Sequence, residues 1–213
     1  MGDPVREAVI LAHGLWMGGW AMQGLRLLLL RSGYGAYAFD YRSMAHGLDE
    51  HARLLEERIA QLRQPAIHLV GHSLGGLVIL RYLRIYGEQR VGRIVLLGTP
   101  VRACMAGQRF ENMPAAKRLL GASREIWRSL PDDYRPQCDL GVIAGSRPWG
   151  LGSLLVRLPG TNDGLVRLEE TEVAGMRDRI VLPVSHSGML ASARVAREIA
   201  AFLDRGAFAR ETP

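Results

Sequence analysis

The run Val70-Gly71-His72-Ser73-Leu74-Gly75-Gly76 sets a serine between glycines as G-x-S-x-G, behind the apolar stretch Ala66 to Val70 and ahead of Leu77 to Tyr86. A strand that reverses sharply into a helix forces its turning residue into a strained backbone conformation, and small neighbours relieve the crowding. Such a turn would hold the Ser73 hydroxyl exposed above a sheet edge. The Leu74 amide, at the positive end of the helix, would point at the same spot and could bind an oxyanion. The chemistry this suits is acyl transfer. Because G-x-S-x-G also arises where glycines merely shape a tight crossover, the reading needs partners elsewhere in the chain.

A serine hydroxyl is a poor nucleophile until a base takes its proton, and the base needs a third group to hold its tautomer. In open α/β sheets, reactive groups gather at the carboxyl ends of strands. His186 lies just beyond the last apolar run, in Pro183-Val184-Ser185-His186-Ser187-Gly188, and Asp163 lies in the turn Asn162-Asp163-Gly164. The expected triad is therefore Ser73, Asp163 and His186, in the chain order this architecture uses. Asn-Asp-Gly is also ordinary turn chemistry, and Asp132, Asp133 and Asp139 are the competing acids. Turnover is expected to fall as His186 gains a proton.

The second oxyanion donor is expected from Ala12-His13-Gly14-Leu15-Trp16, where Gly14 allows close approach and the Leu15 amide follows, alongside that of Leu74. Trp16 and Met17 are the expected substrate-binding residues. With Trp20 and Met44 nearby, they imply an apolar pocket suited to short or medium acyl chains. His13 and His72 read as structural histidines bonded to neighbouring loops. His46, His51 and His68 share no spacing that would build a metal site, so no metal is expected.

These residues need a scaffold that brings distant loops to one edge. Short apolar runs at Ala8 to Ala12, Ala36 to Asp40, Ile67 to Val70, Arg93 to Leu97, Leu140 to Ala144 and Arg179 to Pro183 read as strands. Helical periodicity fills Trp20 to Ser32, Leu48 to Leu62, Leu74 to Tyr86 and Ala191 to Arg205. The alternation predicts an α/β fold: a mostly parallel six-stranded sheet flanked by helices on both faces. One domain over 1–213 is expected, with a small cap or lid at 101–137 carrying weak helices near Pro114 to Leu120 and Ser123 to Leu130. In that cap, Met105, Phe110, Met113 and Trp127 either face substrate or pin the cap to the sheet.

The formal charge of +6 comes almost wholly from arginines scattered among acidic residues, which reads as solvated helix faces and not as a nucleic-acid surface. Cys104 and Cys138 lack metal-ligand spacing. The first residues lack the order of a signal peptide, and no apolar stretch is long enough to span a bilayer, so a cytoplasmic location without stable membrane insertion is expected.

Taken together, His13-Gly14, Gly71 to Gly76, Gly98-Thr99-Pro100, Asn162-Asp163-Gly164 and Ser185-His186 resemble the α/β-hydrolase superfamily, in particular its small lipase- and esterase-like bacterial members with little or no cap. The resemblance implies Ser73 as nucleophile, Asp163 as acid, His186 as base, Leu15 and Leu74 as oxyanion amides, and no cofactor. Lipases of that family are usually exported, whereas this chain shows no export signal. The expected activity is hydrolysis of small carboxylic esters through an acyl-enzyme. A thioesterase or acyltransferase on carrier-bound acyl groups, and a non-catalytic binding module, are the alternatives.

Overall fold

The computed structural model describes residues 7–102, 104–111, 134–150 and 158–210. Six strands, β1 (Ala8–Ala12), β2 (Gly35–Phe39), β3 (Ile67–His72), β4 (Val91–Leu97), β5 (Leu140–Gly145) and β6 (Asp178–Leu182), pair side by side in the order β2-β1-β3-β4-β5-β6. Every pairing is parallel. The near-continuous apolar runs of β1, β3 and β5 suit strands covered on both faces, and the helices supply both covers. Ile10, Leu69, Ile94 and Val142 face one layer with α2 (Leu48–Ala60) and α3 (Leu74–Tyr86). Their sequence neighbours Leu11, Val70, Val95 and Ile143 face the other layer with α1 (Gln23–Arg31) and the C-terminal helix. This period of two divides each strand between two cores.

The C-terminal helix, α5, spans Ala193–Arg205 and a short α4 covers Met105–Glu111. Ser192 opens α5 by accepting from the Val195 amide at 3.3 Å, and Gly206, at φ 71°, ends it in the left-handed conformation. Between these caps Val195, Ile199, Phe202 and Leu203 are buried, each stabilising the fold by roughly 1.5–3 kcal/mol.

The elements depart from expectation in ways that have local causes. β2 begins and ends one residue early because the Gly35 amide bonds to the Glu7 carbonyl at 2.9 Å, while Asp40 leaves the ladder to accept from the Gly19 amide at 2.8 Å. β3 runs on through His72, which pairs in register with Leu97. The helix expected from Trp20 is a 3-10 turn over Gly19–Met22 followed by α1. α4 was not anticipated; Glu170, almost fully buried, accepts from the Met105 amide at 2.9 Å at its start. The two weak helices expected at 114–120 and 123–130, and Met113, Trp127, Asp132 and Asp133 with them, lie outside the described residues, as does the Phe110 side chain.

His68 accounts for the irregular register between β3 and β4. Its Nδ1 accepts from the Arg93 amide at 2.8 Å, its Nε2 meets Glu7 Oε2 at 2.8 Å, and its ring occupies the space where a Cβ on Gly92 would stand. Among the described residues no helix is long and apolar enough to cross a membrane, and no three His, Cys, Asp or Glu side chains converge as metal ligands.

The backbones of α3 and β1 approach with no room for a side chain between them. A Cβ on Gly75 would collide with the Ala12 carbonyl oxygen and lie 2.6 Å from that of His13, so Gly75→Ala must push the helix off the strand. The expected cost is about 1–3 kcal/mol, read as a lower urea midpoint; an unchanged midpoint would mean that α3 can slide without penalty. Acid sensitivity is a second consequence. His51 is fully buried, edge-on to Tyr41 at 4.7 Å, and burial lowers its pKa to about 4. Below about 6.5 the unfolded chain takes up a proton that the folded one refuses, so stability present at neutral pH is lost as pH falls toward 4. Between pH 6.5 and 5, His51→Gln should lose about 1.5 kcal/mol less than the wild type, compared by denaturant titration at the two pH values.

Candidate active site

The turn at the end of β3 puts Ser73 at φ 53° and ψ −120°, a conformation that a side-chain-bearing residue adopts only when its surroundings impose it. Those surroundings are visible. The Ser73 amide bonds to the Leu97 carbonyl at 2.9 Å and the Ser73 carbonyl accepts from the Gly76 amide at 3.0 Å. A Cβ on Gly71 would lie 2.6 Å from the Gly76 Cα, and one on Gly76 would collide with the buried Thr99 side chain. Glycines at 71, 75 and 76 are thus what lets strand, turn and helix occupy this volume. Gly14, in the loop after β1, comes so near that a Cβ on it would stand 3.2 Å from the Ser73 Cβ and 3.1 Å from His72 Nδ1. Among the described residues, no carbonyl accepts from the Leu15 or Leu74 amides that flank this contact.

Asp163 and His186 meet directly. His186 Nδ1 lies 2.8 Å from Asp163 Oδ2, and the His186 amide donates to the Asp163 carbonyl at 2.8 Å. A carboxylate only accepts, so Nδ1 carries a proton. The second oxygen, Asp163 Oδ1, accepts from the Leu165 and Val166 amides at 3.0 and 2.8 Å. Burial pushes the Asp163 pKa up, but the His186 ring and these two amides outweigh it and hold the carboxyl below its usual range. Two glycines make room for the pair. A Cβ on Gly98, itself at φ 52°, would stand 2.8 Å from Asp163 Oδ2, and one on Gly145 would stand 2.7 Å from the Asp163 Cβ. Of the rival acids, Asp139 is engaged at the opposite edge of the sheet by Arg93 and Arg177, at 3.2 and 2.7 Å.

Ser73 joins this pair through its neighbour. His72 Nε2 donates to the His186 carbonyl at 3.0 Å, and the two imidazoles lie 4.6 Å apart. Burial first, and then the nearby His186, lower the His72 pKa to about 3, so this ring is neutral. His13 is also buried and bonded to loop backbone, with Nδ1 donating to the Gly14 carbonyl at 2.9 Å. Tyr41 stacks on it at 4.3 Å and donates its hydroxyl to the His13 carbonyl at 2.7 Å. Sequence reasoning missed Tyr41 and Asp40, although their place directly after β2, on the same edge as Ser73, was a usable signal.

The expected substrate-binding residues divide. Trp16, at φ 58°, is half exposed beside the Gly14 loop, while Met17 packs against the core on the α1 side. Trp20 and Met44 are exposed, as is Trp149, which follows β5 and was not anticipated. Trp149 adjoins the Asp163 turn, since a Cβ on Gly164 would stand 3.1 Å from its carbonyl oxygen. A separate cavity of about 350 Å³, lined by Leu80, Val101, Arg102, Tyr134, Glu172, Val173 and Ala174, includes none of these groups.

A model of the alpha/beta hydrolase family matches residues 9–199. Among solved structures, the mature lipase BlEst2 of Bacillus licheniformis superimposes with a TM-score of 0.76 at 17% identity, covering 97% of this chain and 94% of that one. The metagenomic carboxyl esterase MGS0156 gives 0.72 at 17% identity over 95% of this chain and 76% of that one. An esterase of Exiguobacterium antarcticum gives 0.68 at 18% identity over 95% and 91%. At such identities the likeness is one of fold. A curated Synechocystis protein named "Putative non-heme chloroperoxidase" is 30% identical over 99 residues, which span 43% of this chain and 36% of that protein. The family match runs from β1 into α5 and takes in the Ser73 turn, Asp163 and His186, and this chain belongs to the alpha/beta hydrolase family.

Proposed function

We propose that this protein is a serine hydrolase that cleaves carboxylic esters of short to medium acyl chains through Ser73, His186 and Asp163. The observation that carries this reading is the buried 2.8 Å bond between His186 Nδ1 and Asp163 Oδ2, in a loop bonded to His72, the residue before a serine held at φ 53° in a strand-to-helix turn. In the proposed cycle Ser73 Oγ attacks the ester carbonyl while His186 Nε2 takes its proton. The oxyanion is received by the Leu15 and Leu74 amides, and His186 returns the proton to the leaving alcohol. Water, deprotonated by His186, then releases the acid from Ser73. Asp163 stays ionised throughout and stabilises the imidazolium.

Trp16, exposed beside Gly14, is the substrate contact this reading favours, with Trp20, Met44 and Trp149 extending an apolar rim. Residues 101–137 complete the single domain as a small cap in this reading, and small-molecule esters are the partners. A cytoplasmic location is part of the same proposal.

The test is direct. Purified protein should hydrolyse short-chain nitrophenyl esters and take a fluorophosphonate label on Ser73, while Ser73→Ala should lose both. Asp163→Asn should fold yet lose about 10⁴-fold in kcat, because the amide favours the wrong imidazole tautomer. Labelling that is absent from folded wild-type protein would leave the non-catalytic binding module. Faster turnover of acyl-thioesters than of matched oxyesters would transfer the reading to a thioesterase.

A further inference from the structure

His72 stands one residue before Ser73 and is fully buried, yet the proposed cycle gives it no task. Its surroundings are specific on both sides of the ring. Nε2 lies 3.0 Å from the His186 carbonyl oxygen, and a carbonyl can only accept, so the proton resides on Nε2. On the other side, Nδ1 is buried and has no hydrogen-bond partner among the described residues. It faces Gly14, where a Cβ would come within 3.1 Å of Nδ1 and 3.6 Å of Cε1. The ring is therefore wedged between the loop after β1 and the loop after β6, on the strand that carries Ser73.

We propose that His72 is a positioning residue that registers the His186 loop and the Gly14 loop against Ser73, through its Nε2–H bond to the His186 carbonyl and its contact with Gly14. This rests on the reading of Ser73 and His186 as nucleophile and base. The geometry gives the bond a distinctive place. His186 is tied to Asp163 by both its ring and its amide, and its carbonyl is tied by His72 to β3. Without the His72 bond, nothing described fixes the Asp163–His186 unit to the nucleophile's own strand by a polar contact at this point. Misplacement of a catalytic group by about 1 Å costs on the order of 100-fold, so a loop that drifts by a fraction of that is felt in turnover. An apolar residue of similar shape would fill the space and keep the fold but would leave the His186 carbonyl buried and unpaired.

Two variants separate positioning from mere packing. His72→Phe keeps a flat ring without a donor, and His72→Gln returns an N–H near the place of Nε2. Counting active sites by fluorophosphonate titration removes any loss of folded protein. Per titrated site, His72→Phe should lose about 10- to 100-fold in kcat with KM within about twofold of wild type, and His72→Gln should recover most of the loss. Wild-type kcat per site in His72→Phe, or equal loss in both variants, overturns the proposal.

A measurement on the wild-type protein keeps the test decisive even if His72→Phe does not fold. The nitrogen and proton resonances of His72 should show a neutral ring protonated on Nε2 from pH 5 to 8. A ring protonated on Nδ1, or one that titrates in this range, overturns the proposal. If wild-type Ser73 takes no label, the hydrolase reading fails by itself, while the same resonances still decide whether the His72 bond exists.

Discussion

The contact between the first turn of α3 and the end of β1 governs this molecule. Gly75 lies against the Ala12 and His13 carbonyls with no room for a Cβ, and Gly71 meets Gly76 across the turn. Helix and strand therefore approach closer than side chains would permit, and the connecting residue is left no ordinary conformation. Ser73 takes φ 53° as the consequence. A strain on the order of 1–3 kcal/mol at one residue is tolerable because the two-layer core on either side of the sheet stabilises the fold by far more. The same closeness brings Gly14 up to Ser73, so the loop after β1 and the Ser73 turn are positioned by one packing event.

The partners that the proposed cycle gives Ser73 are held by different means. Asp163 and His186 come from loops, whose backbone is free to vary, and they are fixed by hydrogen bonds in place of close packing. The carboxylate uses both oxygens: Oδ2 for the imidazole and Oδ1 for two amides of its own turn. Burial alone would raise its pKa, and the bonded neighbours reverse that tendency. Gly98 and Gly145 then serve the acid–imidazole pair as Gly71 and Gly75 serve the serine turn, by leaving volume where side chains would stand.

Much of this is written locally. The strands were legible because both faces of a parallel sheet are buried, so β1 appears as an unbroken apolar run and its bounds agree with the sequence reading. α3 was legible because glycines mark its start and Gly87 its end. What sequence could not supply was the register of loops. Asp40 shifts the end of β2 by bonding to Gly19, a partner 21 residues away, and no local pattern encodes that choice. Glu170 likewise sets the start of α4 from 65 residues further on. Asp163 could be nominated from its turn, and Asp139 set behind it because it precedes its strand, where Arg93 and Arg177 engage it.

The crowd of imidazoles at the carboxyl edge carries an electrostatic constraint of its own. His72 sits 4.6 Å from His186, and among the described residues Asp163 is the one carboxylate bonded to the pair. A charge on His72 would oppose a charge on His186 by about 4 kcal/mol at an effective dielectric of about 20, enough to cancel much of what Asp163 contributes. Proton acceptance by His186 in the proposed cycle therefore requires His72 to remain neutral. Full burial, helped by the nearby His186, secures this by lowering the His72 pKa to about 3, and the opposing bond to the His186 carbonyl and the charge of Asp163 do not offset it. His13, whose pKa burial also lowers despite Asp40 nearby, follows the same rule. In the proposed cycle, the one imidazole that must take a proton does so because its neighbours are too poorly solvated to compete.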